Sequence, residues 1–166
     1  MNWSRYRFVS GFLFLASVIG MAFALYLEHV QGLEPCPLCV FQRIGLIALG
    51  VVSLIAFIHN PASNIMKRVY ALLGTLGILW SAGVAARHVW LQHLPPDQVP
   101  SCGPGLDYLV DALPLKSVLS QVLSGSGECA AIDWTFLGQS LPVWSFLFFA
   151  VLALVSVWQV FRKYPA

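Results

Sequence analysis

Four cysteines, Cys36, Cys39, Cys102 and Cys129, are the side chains whose type and spacing could do chemistry. Cys36-Pro37-Leu38-Cys39 is a C-x-x-C pair, whereas Cys102 and Cys129 are 27 positions apart. Zinc ribbons use two close cysteine pairs. Only one exists here, so no metal site is expected on spacing. Disulfide chemistry is the other class, with Cys36–Cys39 and Cys102–Cys129 as the natural pairing. The long pair could be a structural staple, worth roughly 3–4 kcal/mol by loop entropy. That explanation is poor for the short pair, because so small a loop yields little entropy and C-x-x-C is a known redox arrangement.

Arg43 follows Cys39 by four residues. On a helix, positions four apart share a face. A helix start carries partial positive charge. That end and the guanidinium both favour a thiolate, the reactive form. A charge inside an apolar run points to function by default; the alternatives are snorkelling or an ion pair with Glu28 or Glu34. The chain has no C-x-x-C-H, no nucleotide-binding glycine motif and no iron–sulfur spacing. A dithiol beside a cation at a membrane surface suits a lipid-soluble acceptor. A quinone fits, since its reduction develops negative charge that Arg43 could stabilise.

The elements that must hold these residues follow from composition. Hydrophobic residues make up 58% of the chain and charged residues 10%, against about 25% charged in soluble domains. Such a surface is best solvated by lipid. A net charge of +2, carried in short flanks, excludes a nucleic-acid face. A bilayer core of roughly 30 Å needs about 20 apolar residues in a helix. Four runs qualify, at about 8–27, 41–58, 69–86 and 141–161. The expectation is a single all-α membrane domain over residues 1–166, a four-helix transmembrane bundle. The first run could instead be a signal peptide cut after Ala22-Phe23-Ala24, but the apolar stretch continues through Leu27.

Lys and Arg mark cytoplasmic flanks. Arg5 and Arg7 precede the first run, Lys67 and Arg68 separate the second and third, and Arg162 and Lys163 follow the fourth. Both termini therefore read as cytoplasmic, and the loops 28–40 and 87–140 as external. Arg87 fits less well and is expected to snorkel. All four cysteines fall in the external loops, where disulfides persist. Within the second loop, 94–105 is turn-rich and expected to be mobile. Leu115 to Leu123 has helical apolar spacing, which predicts a short helix on the membrane surface or against the bundle's outer end. Ser124-Gly125-Ser126-Gly127 reads as a flexible link to Cys129.

The four runs, Cys36-Pro-Leu-Cys39 followed by Gln42-Arg43, the basic Lys67-Arg68 loop, His88 at the end of the third run and two cysteines in a long second external loop together resemble the disulfide bond formation protein B (DsbB) family over nearly the whole chain. The resemblance implies a bacterial inner-membrane protein-dithiol:quinone oxidoreductase. A DsbA-like periplasmic thiol oxidase would attack Cys102, with Cys129 as its bonded mate. Cys36 and Cys39 would reoxidise that pair, Cys39 facing the quinone, with ubiquinone expected. Arg43 would be the main quinone-site residue and His88 a second one, against the plainer reading of an interfacial histidine. His29, His59 and His93 read as flank residues. Gln42 stands where an acidic residue would not surprise, and Pro37 stiffens the pair; both bear on redox poise. The rival from another class is a membrane scaffold or assembly factor with structural disulfides. A third reading runs the chemistry backwards, as a quinol-fed disulfide reductase.

Overall fold

The structure is a computed structural model and describes residues 3–95, 97–101, 106–132 and 134–162. Four long helices dominate it: α1 (Trp3–His29), α2 (Pro37–His59), α3 (Asn64–Gln92) and α7 (Leu141–Phe161). Each is long and apolar enough to cross a membrane. The helices extend past the apolar runs at most ends because a hydropathy run marks only the hydrocarbon core, whereas long polar side chains reach the headgroups. As a result α2 begins at Pro37 and α3 continues to Gln92, so part of what the sequence assigned to loops is helix.

Burial runs opposite to that of a soluble bundle. Phe8, Ile58, Leu76 and Leu154 point outward, each more than half exposed. Ser10, Ser17, Gln42, Ser53, Thr75, Ser81, His88, Ser156 and Gln159 are buried. In lipid an apolar outer face costs nothing, and polar side chains gain by bonding across helices. Gln159 accordingly donates to Ser10 Oγ at 3.1 Å, joining α7 to α1. The core of the bundle is Leu13, Leu46, Leu49, Ile78, Phe149 and Leu152.

The α2–α3 crossing is closest at Gly45. A Cβ there would lie 2.3 Å from the Gly77 carbonyl oxygen and from Ser81 Oγ. The missing side chain lets Ser81 Oγ donate to the Gln42 carbonyl at 2.7 Å. This fixes the register of the two helices one turn below the C-x-x-C pair.

The segment between α3 and α7 holds more structure than the single helix expected. It contains α4 (Leu106–Ala112), α5 (Leu115–Ser124), α6 (Gly127–Ala130) and a hairpin of β1 (Thr135–Phe136) and β2 (Gln139–Ser140). In the hairpin Thr135 pairs with Ser140 and Phe136 with Gln139. Helix α5 packs on the bundle end, with Val118 and Val122 buried among Leu38, Val84, Leu91 and Leu109. Arg87 does not snorkel freely. Its Nε donates to the Leu123 carbonyl at 3.1 Å and its terminal nitrogen to that of Ser124 at 3.0 Å, while the guanidinium stacks on Trp90. These bonds satisfy carbonyls that the end of α5 leaves unpaired. The expected flexible link is also packed: Gly125 has φ +87°, and a Cβ there would lie 2.4 Å from Leu91.

Candidate functional site

Cys36 and Cys39 straddle the start of α2. Cys36 is the N-cap, in extended conformation, and Pro37 occupies the first turn. Proline is favoured there because its missing N–H would be unpaired anyway and its φ already suits a helix. The helical turn folds Cys39 back onto the cap, and the two sulfurs lie 3.4 Å apart as free thiols. Small torsional changes would bring them within bonding distance.

His88, one turn from the end of α3, is buried against both. Cys36 Sγ lies 3.9 Å from its Nε2, and Cys39 Sγ 3.9 Å from its Nδ1. The Gln42 amide is 3.3 Å from Nδ1 and fixes the ring. Gln42 follows Cys39 by three residues on the same helix face, so its reach toward the pair was open to inference, but its contact with a residue on α3 was not.

Cys129 reaches the site from α6 and is a free thiol, 1% exposed. Its backbone N–H donates to the Ser126 carbonyl at 2.9 Å. Cys36 packs against the buried cluster that contains Cys129. The neighbouring Cys36 side chain and burial push the Cys129 thiol above its ordinary range. Cys102 lies outside the described residues, and with it the expected Cys102–Cys129 pairing. Its neighbour Ser101 accepts a bond from the Gly127 N–H at 3.4 Å, two residues before Cys129.

Arg43 points from α2 toward α1. It forms an ion pair with Glu28 and approaches the Ala24 carbonyl at 3.5 Å. The pairing with Glu28 that the sequence left as an alternative is therefore present, so the guanidinium is not an uncompensated charge. Arg43 nevertheless lines the same cavity as the cysteines. That cavity holds about 400 Å³ and is walled by Phe23, Leu27, Leu46, Trp144 and Phe148 as well as Cys36, Cys39, Gln42, Arg43 and His88. Its wall is predominantly apolar, with the sulfurs and the guanidinium as reactive and polar points. Trp134 and Trp144 flank it from the hairpin and α7. Trp144 Nε1 donates to the Phe136 carbonyl at 3.0 Å, and Ser140 donates to Gln92 at 2.6 Å. No spacing rule in the sequence marks this hairpin as part of the site.

The structure thus gathers Cys36, Cys39, Cys129 and His88 into one cluster and sets Arg43 on the wall of the adjoining cavity. Among the described residues, His29 and His93 bond to carbonyls of their own helices, and His59 bonds to Tyr70.

Residues 6–159 match the family model "Disulfide bond formation protein DsbB". Curated relatives named Disulfide bond formation protein B include one from Acinetobacter baylyi, 75% identical over 99% of this chain and 96% of its own. Another, from Acinetobacter baumannii, is 74% identical over 96% of this chain and 94% of its own. A third, from a Psychrobacter species, is 54% identical over 97% of this chain and 96% of its own.

Proposed function

Because the chain belongs to the DsbB family, and so to the membrane disulfide oxidoreductases, we propose that it is a protein-dithiol:quinone oxidoreductase of the bacterial inner membrane. It reoxidises a DsbA-like periplasmic thiol oxidase. The observation that carries this reading is the two-sided setting of the C-x-x-C pair. On one side Cys36 packs against the buried cluster that holds Cys129; on the other the pair opens on an apolar cavity beside Arg43.

Exchange begins when a partner thiolate attacks Cys102 in a Cys102–Cys129 disulfide, giving a mixed disulfide and freeing Cys129. The Gly127–Ser101 hydrogen bond, which holds the chain before Cys102 near α6, supports that pairing. The partner's second thiol then displaces Cys102 and leaves as the oxidised partner. Cys129 attacks Cys36, and Cys39 leaves as the thiolate; Cys102 then attacks Cys129, which re-forms the Cys102–Cys129 disulfide and releases Cys36 as the second thiolate. Two electrons from the partner then sit at the cavity wall.

A quinone suits the cavity because a flat apolar ring needs an apolar slot and a nearby donor for its carbonyl oxygens, and the cavity supplies Arg43 and His88. When bound it supplies a two-electron, two-proton acceptor. Arg43 would orient it and offset developing negative charge. Glu28 holds the guanidinium in place, and Gln42 holds the imidazole. Ubiquinone is the expected species.

The test is the absorbance of a soluble quinone with purified protein, with and without reduced partner. Turnover should require the partner and should vanish in Cys36→Ser and Cys39→Ser. Turnover retained in Cys39→Ser would sink the assignment.

A further inference from the structure

Spacing along the chain argued against a metal because it counted cysteine pairs and could not see His88. In space, one ligand atom each from Cys36, Cys39 and His88 lies within 4.8 Å of the others. We propose that the reduced Cys36–Cys39 pair and His88 form a thiolate–imidazole site for a soft divalent cation, Zn²⁺ above all, which competes with disulfide formation.

The ligand set is of the zinc type, two thiolates and an imidazole with one position left open. Tetrahedral zinc, with bonds of about 2.3 Å to sulfur and 2.0–2.1 Å to nitrogen, puts sulfurs about 3.8 Å apart and sulfur to nitrogen about 3.6 Å. The observed separations are 3.4 Å between sulfurs and 3.9 Å from Cys36 Sγ to Nε2, whereas the 3.9 Å approach of Cys39 Sγ is to Nδ1; one ligand atom from each residue lies within 4.8 Å of the others. Rotations of the Cys39 and His88 side chains that move their ligand atoms by about 1 Å bring them to that geometry. The ring also has the outer partner that metal-bound histidines need. With the Gln42 amide oxygen turned to accept from Nδ1–H, the Nε2 lone pair faces Cys36 and is free to ligate. The fourth position opens toward the cavity, where water or a small ligand completes the shell.

Binding releases the two thiol protons and changes no oxidation state. It is confined to the reduced protein, because a Cys36–Cys39 disulfide has no thiolate to offer. A cation held there occupies both sulfurs and prevents their oxidation, so zinc would hold the relay in its reduced form. The site itself does not depend on the identity of the electron acceptor.

The experiment uses the full chain in detergent micelles, reduced with a phosphine, freed of it anaerobically and titrated with Co²⁺. The expected result is one Co²⁺ per chain, with thiolate-to-cobalt charge-transfer absorption and tetrahedral visible bands, displaced by Zn²⁺. The signal should be absent from oxidised protein and from Cys39→Ser. It should persist in the Cys102→Ser/Cys129→Ser double variant, which removes the other two thiols. His88→Gln, close in volume to histidine, should weaken binding by at least about tenfold, and Gln42→Leu by roughly 10- to 100-fold. Reduced wild-type protein that gives only an octahedral cobalt spectrum would overturn the proposal. So would unchanged affinity in His88→Gln, or loss of the signal in the double variant.

Discussion

At Cys129 the neighbouring sulfur and the surrounding apolar wall act on the thiol in the same direction. The nearby Cys36 side chain and burial both raise its pKa, so the neutral thiol persists to higher pH than an ordinary cysteine, whose midpoint is about 8.5. Alkylation requires the thiolate. In reduced protein the pH midpoint for alkylating Cys129 should therefore lie above that value, and Cys36→Ala, which removes the larger cause, should lower it. Peptide mass spectrometry after iodoacetamide pulses at stepped pH reads this directly; a midpoint at or below the ordinary value would contradict the contact. Arg43 carries a second prediction. Loss of its charged hydrogen bond to a bound acceptor should cost about 1.5–3 kcal/mol, so Arg43→Ala should raise the apparent quinone KM roughly ten- to a hundredfold with a smaller change in kcat. An unchanged KM removes Arg43 from the site. The sequence made these side chains visible one at a time, because C-x-x-C and a charge in an apolar run are local signals. It did not show that Cys36 packs against the cluster that holds Cys129 or that Gln42 holds His88. Those contacts join segments far apart in the chain, and packing alone decides them.

Among the elements, α2 and α3 carry the site between them, and their crossing sets its geometry. Gly45 lies one turn beyond Gln42, where any Cβ would meet the Gly77 carbonyl and Ser81. Gly45→Ala must therefore push the helices apart or lose the Ser81–Gln42 bond, at a cost of about 1–3 kcal/mol by overpacking. A lower thermal midpoint in detergent, with weakened Co²⁺ binding by the reduced protein, is the expected outcome; an unchanged midpoint would mean the crossing is looser than it looks. Arg87 does comparable work for α5. Arg87→Leu removes the bonds to the Leu123 and Ser124 carbonyls, which lead directly into α6. The expected effect is faster hydrogen–deuterium exchange confined to about 115–130, with the four long helices unaffected. The four long helices were legible because lipid-facing sequence is apolar without interruption. Helices α4 and α6 and the hairpin were not, since each is too short to show a period and is held by side chains from elsewhere, such as Gln92 on Ser140.

For the whole molecule the governing fact is that the chemistry collects at one end. Cys36 and Cys39 open α2, His88 is near the end of α3, and Cys129 lies in the segment that joins α3 to α7. The cluster around Lys67 and Tyr6 lies at the opposite end, where α1 and α3 begin. Four crossings would put both termini on one side of the membrane, and the basic flanks predict that this side is the cytoplasm. Disulfide exchange with a secreted partner requires the cysteine end to face the oxidising compartment. Orientation is thus a condition of the proposed function, and it can be measured without assaying activity. In a variant with all four native cysteines changed to serine, Leu115→Cys places a thiol on an exposed position of α5 and Arg68→Cys places one on an exposed position at the far end. A membrane-impermeant maleimide added to intact spheroplasts should label Leu115→Cys and leave Arg68→Cys unmodified until the membrane is permeabilised. The reverse pattern would place the cysteine cluster in the reducing cytoplasm, where a relay that exports disulfides has no partner to oxidise.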